Sequence, residues 1–178
     1  MRALLISTCL LLGALLMPVH AAEKPSPVPL VPAVDLPRYM GDWYVIGVIP
    51  TFVEEGAHNA VESYALNADG TIATTFSRLD GSFEGKRKIS KPKGFVRPGT
   101  GNALWGMQFI WPFKGEFRIA HLEPDYSVTI IGRSKLDYVW LMARKPLMDD
   151  ADYERYKTLI ASWGYDVSKF ERVPQRWP

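Results

Sequence analysis

Gly41-Asp42-Trp43-Tyr44-Val45-Ile46-Gly47-Val48-Ile49 is the first stretch of this sequence in which the residues sort by a period of two. Trp43, Val45, Gly47 and Ile49 take one side of an extended chain, and Tyr44, Ile46 and Val48 take the other. Short β-rich runs recur after it. Turn signals separate them at Ala68-Asp69-Gly70, Leu79-Asp80-Gly81, Pro98-Gly99-Thr100-Gly101, residues 112–115, Glu123-Pro124-Asp125 and residues 132–137. Hairpin-sized turns at this spacing argue an antiparallel meander of about eight strands rather than strand–helix–strand units. An up-and-down barrel closes such a meander without leaving a free edge, and eight strands leave room for one small ligand. The expected fold is therefore all-β: an eight-stranded antiparallel up-and-down β-barrel.

Downstream of the strands the period changes. Tyr153, Tyr156, Leu159, Ile160 and Trp163 recur at three- and four-residue spacing, Asp149 or Asp150 can cap the segment, and Gly164 can end it. This predicts one amphipathic α-helix packed outside the barrel.

The start of the chain reads differently. Met1-Arg2 is followed by a run to Met17 that is almost wholly apolar, and Val19-His20-Ala21 or His20-Ala21-Ala22 offers a cleavage site. Residues 1–22 read as a secretory signal peptide, because the run is shorter than the ~20 residues a membrane-spanning helix needs. The protein is expected to be exported, to the periplasm. Its single cysteine, Cys9, lies inside the apolar run and not at the cleavage point, which argues against a lipid anchor. The mature chain then has neither disulfide nor thiol chemistry. Pro25, Pro27, Pro29 and Pro32 hold residues 23–34 extended as a linker or free leader. The folded domain is placed at 35–173, with a tail at 174–178.

Composition excludes further classes. The chain is 47% hydrophobic and 22% charged with net charge +2, enough apolar material for a core and too little charge for a nucleic-acid tail. Lys86, Arg87, Lys88, Lys91 and Lys93 form its one basic cluster, which reads as a solvated strand face. His58 follows Glu54 and Glu55 at a spacing that could bind a metal on a helix, but the segment lies between strands and reads as a loop. No metal or cofactor is expected. There is no Gly-x-Ser-x-Gly elbow, no phosphate-cradling loop, and no acid pair whose environment marks it as catalytic, so the chain reads as no enzyme.

Large side chains at same-face positions stand out instead. Trp105, Met107, Phe109 and Trp111 share one parity of a strand, and Trp140 and Met142 do the same in the last one. A packed core and the wall of an apolar ligand pocket both fit this pattern. In Lys86-Arg87-Lys88-Ile89, parity places Arg87 with Ile89, and Ile89 as the apolar member makes that face the inward one. Arg87 would then meet a ligand carboxylate or phosphate, or reach water at the rim.

Gly41-Asp42-Trp43-Tyr44, after the turn Asp35-Leu36-Pro37-Arg38-Tyr39-Met40, resembles the start of the lipocalins. The likeness continues in Phe109-Ile110-Trp111-Pro112-Phe113-Lys114-Gly115, Leu122-Glu123-Pro124-Asp125-Tyr126, Tyr138-Val139-Trp140-Leu141-Met142-Ala143-Arg144-Lys145-Pro146 and Gly164-Tyr165-Asp166-Val167-Ser168-Lys169-Phe170. Together these resemble the bacterial lipocalin branch, with its relatives apolipoprotein D and the plant temperature-induced lipocalins. The resemblance implies a calyx that binds fatty acids or lysophospholipids for outer-membrane maintenance under stress. Peripheral membrane contact and a homodimer remain compatible with it. It also implies a structural role for Gly41, Trp43 and Arg144, the last two stacked at the closed end. The sequence departs from the branch in lacking a properly placed anchor cysteine and in carrying Arg87 where relatives commonly have a small residue. The alternatives are a pigment- or haem-binding barrel, with His121 as an axial ligand, or an enzyme on the same barrel.

Overall fold

The computed structural model describes residues 26–51 and 54–177. The signal-peptide reading and Cys9 lie outside them. A one-turn helix α1 (Leu36–Tyr39), capped by the Asp35 side chain at Arg38 N, leads into strand β1 (Gly41–Ile49). Then follow β2 (Ala57–Leu66), β3 (Ile72–Asp80), β4 (Arg87–Ser90), β5 (Lys93–Val96), β6 (Leu104–Ile110), β7 (Phe113–Leu122), β8 (Val128–Gly132) and β9 (Val139–Ala143). Every neighbouring pair is antiparallel, and β9 pairs back onto β1 to close the barrel.

Eight strand positions make this closed barrel, as expected. One of them is split. β4 pairs the end of β3, while β5 pairs its start and bridges to β6. The break falls at Pro92, which has no N–H to give a ladder; its carbonyl instead accepts from Thr74 N at 3.3 Å and Thr74 Oγ1 at 2.6 Å. After the barrel come helix α2 (Asp150–Ser162) and a short strand β10 (Glu171–Arg172) added to the outside of β1.

The strand alternation sorts side chains into two cores. Trp43, Tyr64, Phe76, Trp105, Phe117, Ile131, Trp140 and Met142 fill the inside. Ile46, Ile130, Val139 and Leu141 point outward and are covered by Tyr153, Tyr156 and Ile160 of α2 with Phe170. The helix is where its periodicity predicts, with Asp149 as N-cap accepting from Asp152 N at 2.8 Å. Gly47 makes the close approach possible: a Cβ there would stand 2.5 Å from Phe170 Cζ.

Both flanks differ from their reading as free segments. Val28 and Val34 are buried, Val31 N donates to Ile119 O at 3.0 Å, and Val34 N to Gly101 O at 2.7 Å. Prolines keep this leader extended, yet the valines between them have apolar surface to bury, so it lies along the barrel. The tail is docked too. Asn59, at φ 46 where β2 shifts register, exchanges hydrogen bonds with Arg176, and Gln175 Nε2 donates to Val45 O at 2.8 Å.

Candidate functional site

The barrel has one plugged end and one open end. At the plugged end Trp43 Nε1 donates to Tyr39 O at 2.9 Å, and the Arg144 guanidinium covers the indole at 3.8 Å. Tyr39, Tyr64, Trp105 and Phe117 pack above this as rings 4.9–5.9 Å apart, with Trp105 and Phe117 stacked at 11°. These rings form a solid floor. Trp105 belongs to it, Met142 is fully buried in the inner core, and neither is on the cavity lining.

Above the floor lies a cavity of about 430 Å³, lined by Met107, Phe109, Ile110, Phe117, Tyr138 and Trp140 with Thr51, Glu54, Glu62, Gly115, Glu116 and Arg133. This is within the ~300–1,000 Å³ span of small-molecule pockets. Of the six residues expected on its wall, Met107, Phe109 and Trp140 are there. Phe109 sits at the mouth and is 57% exposed. Trp111 is not on the wall: it stands 82% exposed in the turn between β6 and β7. The pairing of β6 with β7 shifts register between Met107 and Ile110, so the parity that aligned Trp111 with Trp105 ends before it, and Ile110 enters the lining instead.

Arg87 is also displaced from its expected face. Lys88 pairs with Arg78 and Ser90 with Phe76, and directly paired residues share a face. Phe76 is in the inner core, so Lys88 and Ser90 take the inward side and Arg87 with Ile89 the outward one. Ile89 is 57% exposed. Choosing the inward face by its one apolar residue fails in a four-residue strand that leaves both faces wet.

Three acids, Glu54, Glu62 and Glu116, and one cation, Arg133, lie on the calyx lining. Glu62 is 1% exposed, directly opposite Trp43 on β1 and Phe76 on β3, and its Oε2 has no hydrogen-bond partner among the described residues. Burial, and secondarily the neighbouring Glu54, push its pKa well above the ordinary carboxylate range. Glu54 is also buried, but its Oε2 accepts from Thr51 N at 2.9 Å and from Thr51 Oγ1. Burial, reinforced by Glu54 and Glu62, raises Tyr138 as well. The indole N–H of Trp140 is buried without a partner among the described residues. Reading the sequence for catalytic pairs missed these acids. The available signal was parity: Glu62 alternates with Ala60 and Tyr64, both inner-core residues.

The histidines lie elsewhere. His121 pairs with outward-facing Ile130, contacts Glu123 Oε1 at 3.1 Å and packs near Tyr156 of α2, so it does not reach the cavity. His58 Nδ1 lies 3.0 Å from Gly56 O, and its ring meets Phe83 edge-on, while Glu54 turns into the calyx. Among the described residues no group of three His, Cys, Asp or Glu could hold a metal.

The family model of the lipocalin-like domain matches residues 34–175. The chain belongs to the lipocalin family. Lipocalins generally bind small hydrophobic ligands. Among curated relatives, this lipocalin is 28% identical to temperature-induced lipocalin-1 of Arabidopsis thaliana over 82% of each chain. It is 27% identical to the outer membrane lipoprotein Blc of Escherichia coli K12, over 88% of this chain and 90% of that one. It is 26% identical to mouse apolipoprotein D over 88% and 84%. Among solved structures, insecticyanin from the tobacco hornworm superposes on this lipocalin with TM-score 0.64 at 14% identity, over 82% of this chain and 83% of that one. Apocrustacyanin C2 does so at 0.62 and 11%, over 84% and 91%. These two likenesses establish the fold alone.

Proposed function

We propose that this lipocalin is a non-enzymatic carrier of single-chain lipids, fatty acids or lysophospholipids, in the cell envelope. One observation carries the reading: an apolar cavity of about 430 Å³ opens beside a hairpin tip whose Phe109, Ile110, Trp111 and Phe113 are all exposed. Apolar side chains grouped at a pocket mouth suit a protein that takes its ligand from a membrane surface. The groove beside that tip is rich in cations, Arg97, Lys114, Arg118, Arg133 and Lys135, which favours an anionic surface. The similarity to outer membrane lipoprotein Blc supports an exported location, with the periplasm as the compartment for a chain whose cysteine is misplaced for anchoring. Native mass spectrometry of the protein purified from its host, with extracted lipids identified, tests the reading. A single-chain lipid bound at one per chain supports it; empty protein that also fails to bind added palmitate and lysophospholipid refutes it.

A further inference from the structure

A calyx built only to hold an alkyl chain gains nothing from an acid at its centre. Glu62 is 1% exposed, lines the cavity, and has an unpartnered Oε2. Leaving such a group unpaired inside a fold costs stability, and an acyl chain pressed against it would leave the cost in place. Among the described residues no basic side chain is paired with it: Arg78 and Lys88 are paired to Asp80 at 2.6 and 2.7 Å, Arg133, which also lines the cavity, is paired to Asp137 at 3.4 Å, Arg144 is engaged by four backbone carbonyls at the plugged end, and Arg87 is on the outer face. Its charged neighbour is a second acid, Glu54, already satisfied by Thr51. The phenols of Tyr39, Tyr64 and Tyr138 are close enough to feel its charge, and Glu116 and Arg133 share the cavity lining with it.

Aromatic rings surround it. Trp43 and Phe76 stand opposite Glu62 on the two neighbouring strands, Trp140 lies 5.2 Å from Phe76, and Phe117, Tyr138 and Trp140 are on the cavity lining. A carboxyl with a free oxygen, surrounded by aromatic faces, is suited to a cation that also donates hydrogen bonds.

We propose that the calyx receives a primary ammonium group carried on a single-chain amphiphile, with Glu62 as its counter-anion and the chain running out along Phe109 and Ile110. This rests on the carrier reading above and narrows it to headgroup-first binding of an amino-headed lipid. An alkylammonium is protonated at neutral pH, as a lysine side chain is. Its entry ionises Glu62 and supplies the partner that Oε2 lacks.

The test compares hexadecylamine, palmitate and hexadecanol, which share one chain and differ in headgroup charge. Binding to the full chain is followed by tryptophan fluorescence at neutral pH. Wild type should bind hexadecylamine about tenfold tighter than hexadecanol, and palmitate weakest of the three. Glu62→Gln, which keeps the side-chain volume, should bring hexadecylamine to within about twofold of hexadecanol. Palmitate binding as tightly as the amine in wild type would overturn the proposal and leave the carrier reading intact. An amine affinity unmoved by Glu62→Gln would also overturn it. Saturation by none of the three would instead refute the carrier reading itself. Should Glu62→Gln not fold, the wild-type ranking decides alone.

Discussion

Arg144 holds its guanidinium 3.8 Å over the Trp43 ring while Nη1 reaches Asp42 O at 2.7 Å and Nη2 reaches the carbonyls of Arg38, Tyr39 and Met40 at 2.8–3.0 Å. One side chain from the last barrel strand thus ties α1 and the start of β1 into a plug. Lysine would keep the charge and lose the planar fork. Arg144→Lys should cost about 1–2 kcal/mol and Arg144→Ala about 2–4 kcal/mol, read as shifts in urea midpoint at constant slope. Ligand affinity should stay within about twofold at temperatures where the variants remain folded, since the stack is separated from the cavity by the ring floor. Equal loss of affinity and stability would place the plug in the binding site.

Glu62 makes stability depend on pH with a definite sign. Its native pKa is raised above the ordinary value of 4.5, so the native state holds a proton that the unfolded chain releases. That contribution is complete below pH 4.5 and is lost as pH rises toward the native pKa, at up to about 1.4 kcal/mol per pH unit. Glu62→Gln removes the slope. The variant should therefore gain stability over wild type as pH rises above 4.5 toward the native pKa, read in urea titrations at a series of pH values. A difference that stays flat across that window would mean Glu62 ionises as freely in the fold as outside it.

Gly47 is a packing position. Its added Cβ would fall 2.5 Å from Phe170 Cζ and 3.0 Å from Tyr153 Cε2. Gly47→Ala should cost about 1–3 kcal/mol by forcing the C-terminal segment off β1. Pairing it with Phe170→Leu should recover part of that loss, giving a non-additive cycle. Additive losses would show that the two residues do not press on one another.

Trp111 and Phe113 carry no fold energy in this structure, being 82% and 76% exposed. Trp111→Ser with Phe113→Ser should leave the thermal midpoint nearly unchanged, within the ~0.5 kcal/mol typical of surface sites. Cosedimentation with vesicles containing anionic lipid should drop several-fold, as should the rate of lipid uptake from them. Unchanged partitioning would remove the hairpin tip from membrane contact.

Arg87→Leu offers a control with a sharp expectation. With Arg87 on the outer face of β4, the variant should bind palmitate and its methyl ester with wild-type affinities. Selective loss of the acid would mean that the side chain reaches the ligand after all.

Much of the barrel could be read from residue order. Alternation in β1, turns at Asp69-Gly70, Asp80-Gly81 and Glu123-Pro124-Asp125, and the switch to helical spacing after Asp149 are local signals, and each element formed where its signal stood. The faces of β1 hold only to its bulge between Val45 and Gly47, after which Val48 joins Trp43 in the inner core and Ile49 packs outside. The site was less legible. Met107, Phe109 and Trp140 were readable as wall because their strands keep period two up to the mouth. Trp111 and Ile89 were misplaced where a bulge or a short strand breaks that period.

What the sequence determined by itself was the alternation, and with it which residues share a face within an unbulged stretch, because side-chain parity is a property of the regular extended backbone. Which face is inside depends on pairing register and closure, and these are set by contacts between strands far apart in the chain. Closure of β9 onto β1 and the pairing of β2 with both β1 and β3 enclosed Glu62 between Trp43 and Phe76. Along the chain, parity puts Glu62 on one face with Ala60 and Tyr64, but that alone does not close the face off from water. Its burial, its raised pKa and its unpartnered oxygen are consequences of tertiary structure, since only the closed barrel takes water away from it.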